Sequence, residues 1–120
     1  MNTLRVGIAS YETMKERTRA VARGELKRGP RDPKVWFPST ESMARVLSSK
    51  NRELLNLIRK TSPQSLTELA MKTGREKSNL SRTLKTMQRY GLVEVAERSD
   101  GRIAPKVRYD RVEMVVELSA

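Results

Sequence analysis

Residues 65–91 read SLTELAMKTGREKSNLSRTLKTMQRYG. Ser65 and Glu68 stand in the S-x-x-E spacing of a capping box, which opens a helix. Leu66, Leu69 and Ala70 supply its inner face. Thr73-Gly74 ends it, because glycine accepts the left-handed backbone conformation that a helix stop favours. A second helix follows and closes at Gly91. On a wheel of about 100° per residue, Leu80, Leu84, Met87 and Gly91 share one narrow sector. Ser78, Arg82, Lys85 and Arg89 lie opposite, with Ser81 and Thr86 on the flanks. The first sector belongs in a core. The second cannot be buried, because its charges and hydroxyl would lose water without compensation.

Ala70, Gly74 and Leu80 add a spacing of A-x3-G-x5-L. Two helices that cross steeply need a small residue at their closest approach, a turn residue tolerant of positive φ, and an apolar residue where the second meets the first. These three positions meet those demands. Such a pair projects its second helix from the body, and the major groove of duplex DNA is wide enough to accept one. Lys77, Ser78, Asn79, Ser81 and Arg82 near the helix start are the candidates for base contact. Arginine can fork to guanine and asparagine to adenine. Lys85 and Arg89 further along, and Arg75 at the entrance, suit phosphates.

Outward from this pair, LVEVAER (92–98) alternates as a strand, SDGR (99–102) reads as a hairpin turn, and KVRYD (106–110) is the return strand, its start blurred by Pro105. Arg98 and Arg102 bracket the turn. They could lie along a nucleic-acid backbone or enter a minor groove. Upstream, two short helices are expected. The first runs through Met43, Val46 and Leu47 after Ser39 or Thr40; the second spans about 50–60 and buries Leu54, Leu55 and Ile58. Trp36-Phe37 reads as core at a helix entrance.

The ends differ from the middle. TLRVGI (3–8) and RVEMVVEL (111–118) both alternate with period two and read as strands. Ser10 caps a helix over about 11–24, with Tyr11, Met14, Thr18 and Val21 on one stripe. KRGPRDPK (27–34) is a linker, either a solvated tether or a basic arm on phosphates. The two end strands are expected to join in one sheet, within the chain or by exchange between subunits of a dimer. Residues 1–34 thus form a strand-helix extension and linker for dimerisation or partner contact. Residues 35–120 form one domain.

The chain of 120 residues carries a net charge of +11. The excess is +5 over residues 1–38, +7 over 39–91 and −1 over 92–120. That distribution points to a polyanionic partner. With neither cysteine nor histidine, the chain has no disulfide, thiolate nucleophile or Ser-His dyad, and nearly every zinc site is excluded. No paired-carboxylate cluster stands out, so neither an enzyme nor a cofactor is expected. No run is long and apolar enough for a secretory signal or a membrane span, which predicts a cytoplasmic protein.

The stretch S-x-x-E-L-A, the glycine turn, the Ser/Asn/Ser-Arg helix and the closing GLVE (91–94) resemble winged-helix regulators of the MarR-like type over about 37–118. The whole chain also resembles a group of small prokaryotic DNA-binding proteins, some of them encoded beside a toxin and regarded as antitoxins. The resemblance implies a mainly α fold with small β: a winged helix-turn-helix with an N-terminal strand-helix extension and a C-terminal strand. It implies a sequence-specific binder of double-stranded DNA, a repressor acting as a homodimer on an inverted repeat. An alternative is an antitoxin that binds a small toxin protein and regulates its own operon. A third reading, an RNA-associated protein, conflicts with the narrow major groove of A-form RNA. MarR-like sensors usually have long dimerising helices at both ends, whereas here the C-terminus reads as a strand and the N-terminal helix is preceded by one.

Overall fold

Four serines start four helices. The hydroxyl oxygens of Ser10, Ser39, Ser48 and Ser65 accept hydrogen bonds from the backbone N–H groups of Thr13 (3.2 Å), Ser42 (3.0 Å), Asn51 (3.3 Å) and Glu68 (3.1 Å). The helices they begin are α1 (Tyr11–Ala22), α2 (Thr40–Val46), α3 (Ser49–Thr61) and α4 (Leu66–Thr73). A fifth, α5 (Lys77–Arg89), starts at Glu76 without a side-chain cap. In this computed structural model the described residues are 2–27, 29 and 32–118. The parts of the linker reading that fall on Arg28, Pro30 and Arg31 lie outside them.

Among the described residues the fold is mixed α/β, with five helices and two small sheets. One sheet is parallel, with strand β1 (Thr3–Ile8) between β2 (Val35–Phe37) and β5 (Arg111–Val115). The other is an antiparallel hairpin of β3 (Glu94–Glu97) and β4 (Ile103–Lys106). The chain divides into two compact units, Met1–Arg45 with Arg111–Ala120, and Val46–Asp110. No helix among the described residues is long and apolar enough to cross a membrane.

The first unit is built on β1. Leu4 and Val6 are buried, as is Phe37 on β2. The end strands do join in one sheet, and they join within the chain: Thr3 to Gly7 register with Arg111 to Val115. Trp36-Phe37, read from sequence as core at a helix entrance, does precede α2 and buries Phe37, but Val35–Phe37 also forms a strand beside Val6–Ile8 that is not expected from sequence. Three residues are too few to show a period. The inner stripe of α1 also differs from the expected one. Met14, Arg17, Ala20 and Val21 are half-buried, whereas Tyr11 and Thr18 are exposed. Tyr11 carries Lys15 over its ring at 5.0 Å, and Arg17 lies 5.3 Å from the Trp36 ring centre.

The second unit buries Leu54, Leu55 and Ile58 of α3, Leu69 of α4, and Leu80, Leu84 and Met87 of α5, with Leu92, Val93 and Ala104. Leu54, Leu55, Ile58, Leu69, Leu80, Leu84 and Met87 are core positions read from the helical periods, whereas Leu66 and Ala70, expected on the inner face of α4, are only half-buried and Gly91, grouped with the apolar sector of α5, is exposed. The hairpin departs from expectation at its second strand, which occupies 103–106 and contains Pro105. Arg98 N–H reaches Arg102 O at 2.7 Å, which makes residues 98 and 102 a bonded rung. Alternation then puts Val95 and Pro105 in a non-bonded rung, where the missing N–H of proline costs nothing.

Gly7 marks a close approach. A Cβ there would meet the Trp36 ring at 2.5 and 2.6 Å and Pro33 Cγ at 2.9 Å. Gly7→Ala therefore forces the indole outward and should cost about 1–3 kcal/mol, the usual range for overpacking. Thermal melts followed by circular dichroism check this. The loss should shrink in a Trp36→Leu background, where the obstructing ring is gone.

Candidate nucleic-acid interface

The turn between α4 and α5 is set by Gly74. Its φ of +72° places it in the left-handed region, and its N–H bonds back to Ala70 O at 2.9 Å. Thr73 Oγ1 donates to Leu69 O at 2.9 Å and accepts from Arg75 N–H at 3.2 Å, which stiffens the same turn. α5 leaves this turn packed on α4 through its apolar side, and β4 contacts both α3 and α4.

The outward side of α5 carries most of the predicted contact residues. Lys77, Ser78, Asn79, Arg82, Lys85 and Arg89 are exposed, and Ser81 is half-buried on the flank. The helix contains no acidic residue. Among the described residues, Lys77, Arg82, Lys85 and Arg89 have no ion-pair partner. Four cations thus stand in water on one short helix.

Arg75 is placed differently. Its guanidinium donates to Lys50 O at 3.0 Å and to Asn51 Oδ1 at 3.5 Å, and Asn51 Nδ2 in turn donates to Val46 O at 3.1 Å. Arg75 therefore ties the α4–α5 turn to the start of α3. The sequence contains no signal for this, since the partners lie 24 and 25 residues away.

The hairpin cations are also engaged. Gly101, at φ +82°, closes a tight turn in which its N–H bonds to Arg98 O at 2.9 Å. Asp100 shapes that turn: Oδ1 accepts from Arg102 N–H at 3.0 Å, and Oδ2 pairs with Arg102 Nε at 3.5 Å. Arg98 donates to Gln64 Oε1 at 2.7 Å. At the base of the hairpin Arg108 pairs with Glu94, which raises the guanidinium pKa above its ordinary value. Lys77 and Arg102 line one cleft of about 370 Å³ together with Ser65, Leu66, Thr67, Gly101 and Ile103. That cleft brings the first turn of α5 and the hairpin tip together.

Gln64 and Glu68, absent from the sequence reading of the site, connect the hairpin to α4. The Glu68 carboxylate accepts from Gln64 N–H at 2.9 Å and pairs with Lys72 at 3.2 Å. The capping box is therefore shifted by one residue, with Glu68 capping Gln64 rather than Ser65. The backbone hydrogen bond from Gln64, and then Lys72, hold the Glu68 carboxyl below its ordinary pKa. Arg98 adds a weaker pull in the same direction.

The family model described as HVO_A0114 matches residues 46–114, more than half of the chain. The chain belongs to the HVO_A0114 family. The matched segment runs through α3, α4, α5 and the hairpin and into β5, so the whole HVO_A0114 match contains the candidate interface. β1, α1 and β2 lie outside it. Neither the curated proteins nor the solved structures yield a match.

A carboxyl with a depressed folded pKa stabilises the fold above its unfolded value, and that contribution is lost as pH falls through the folded value. Glu68→Gln should accordingly lower the melting temperature at pH 7. The gap to wild type should close as pH drops below the ordinary glutamate value of 4.5. Melts at a series of pH values check this. Ser65→Ala should cost about 0.5–2 kcal/mol through loss of the α4 cap.

Proposed function

We propose that the second unit is a winged helix-turn-helix that binds double-stranded DNA, with α5 as the helix that enters the major groove. The observation that carries this reading is the pair of faces on α5. Leu80, Leu84 and Met87 are buried, while the exposed Arg82, Lys85 and Arg89 have no ion-pair partner among the described residues. A helix about 10–12 Å across fits a groove about 12 Å wide. In this placement Arg82, with Ser78, Asn79 and Ser81 beside it, faces base edges. Lys85 and Arg89 meet phosphates. Lys77 and Arg102 converge on the backbone from the cleft they share. The hairpin then acts as the wing, with Arg98 exchanging its bond to Gln64 for one to phosphate.

The MarR-like pattern of residues 65–94 supports the same reading. Occupation of a promoter by such a protein represses it without any catalytic step, so we propose a cytoplasmic repressor. Duplex RNA is a poorer ligand, because its major groove is too narrow for a helix.

Selection of bound sequences from a random duplex pool tests the proposal directly, and enrichment of a defined site is the expected outcome. On the selected site Arg82→Ala should lose about 1–3 kcal/mol of discrimination and approach the affinity for random DNA. Lys85→Ala should weaken specific and random DNA alike and reduce the salt slope by about one. Fluorescence anisotropy at several salt concentrations measures both. Equal losses for the two variants on both DNAs would overturn the assignment of roles. Tighter binding to duplex RNA would overturn the choice of partner.

A further inference from the structure

The two edges of the parallel sheet are unlike. β2 has three residues, with Pro33 just upstream and Pro38 directly after it. Short length and flanking proline are the ordinary guards of a sheet edge. β5 has no such guard. From Arg111 to Leu118 there is no proline and no glycine, and among the described residues only β1 pairs with it. Val112 registers with buried Leu4 and Met114 with buried Val6, so the apolar row of β5 continues a face that is covered one strand further in. Yet Met114, Val116 and Leu118 are 49, 43 and 97% exposed.

We propose that this edge pairs with a second copy of the chain. β5 runs antiparallel to the β5 of its partner about a two-fold axis at Met114, joining two three-stranded sheets into one of six. In this register Met114 faces the partner's Met114 and Val112 faces the partner's Val116. Arg111 faces the partner's Glu117, and symmetry makes that charge pair twice. The neighbouring registers are worse. A two-fold at Glu113 sets two carboxylates against each other, and one at Val115 sets Glu113 against the partner's Glu117. A two-fold at Val112 moves Val116 and Leu118 past the start of the partner's strand. Opposite charges and matched apolar residues across a rung favour pairing, and like charges oppose it. The contact uses the same patch on both copies, so it closes as a dimer and leaves no free β5 edge. This inference rests on the first unit alone and stands or falls separately from the DNA reading.

The test is sedimentation and native mass spectrometry of the full chain, with circular dichroism to verify folding. Wild type should be a dimer at micromolar concentration. Arg111→Glu and Glu117→Arg should each weaken self-association about tenfold, because each homodimer then opposes like charges twice. Mixed, the two variants should form a heterodimer of wild-type strength, since every 111–117 rung is again an opposite pair. Val116→Pro lies beyond the rungs shared with β1 and should release monomers without loss of fold, which keeps the test open if Arg111→Glu folds poorly. A wild-type monomer at high micromolar concentration overturns the proposal. So does a dimer that Glu117→Arg and Val116→Pro leave unchanged, or a mixture with no preference for the heterodimer.

Discussion

The burial of one side of α5 is the constraint on which the rest of the second unit depends. Leu80, Leu84 and Met87 are each almost wholly removed from water. Each such side chain contributes about 1.5–3 kcal/mol. Turning the helix over would expose all three and bury Arg82, Lys85 and Arg89 instead. An unpaired buried cation costs several kcal/mol. Both terms favour the same rotation, so the direction in which the cations point follows from the packing of the opposite face. Gly74 and Thr73 then fix where the helix starts, and Arg75 ties that start to α3.

The cations of this unit fall into two kinds. Those on α5 have no ion-pair partner among the described residues, whereas Arg98, Arg102 and Arg108 are held by Gln64, Asp100 and Glu94. Exposed pairs of the second kind are worth only about 0–1 kcal/mol, so a phosphate can displace the protein acceptor at little cost. Their effect in the free protein is to hold the hairpin in place, with Arg98 bridging it to Gln64 and, through Gln64 N–H, to Glu68. Cations without an internal partner gain the most from a polyanion. The helix is therefore the stronger half of the candidate interface, and the hairpin supports it.

What could be read from the sequence was local. Ser10 and Ser65, and Ser39 as one of two candidates, start helices because a hydroxyl reaches an N–H three residues on; Ser48, which caps α3 in the same way, is not among the caps expected from sequence. The two faces of α5 follow from a period of 3.6 residues, and the hairpin turn follows from Asp100-Gly101. Each of these is settled within one or two turns of chain. The tertiary structure decided what such short-range rules cannot reach. It placed Val35–Phe37 beside β1, and set Thr3 opposite Arg111, more than a hundred residues away, in parallel rather than antiparallel register. It also gave Arg75 to Lys50 and Arg98 to Gln64. Alternation marks a strand but says nothing of its neighbour, and a guanidinium takes whichever acceptor the folded backbone brings within reach. Those choices belong to the closure of the whole chain, because only there are distant backbone and side-chain groups brought within 3 Å of one another.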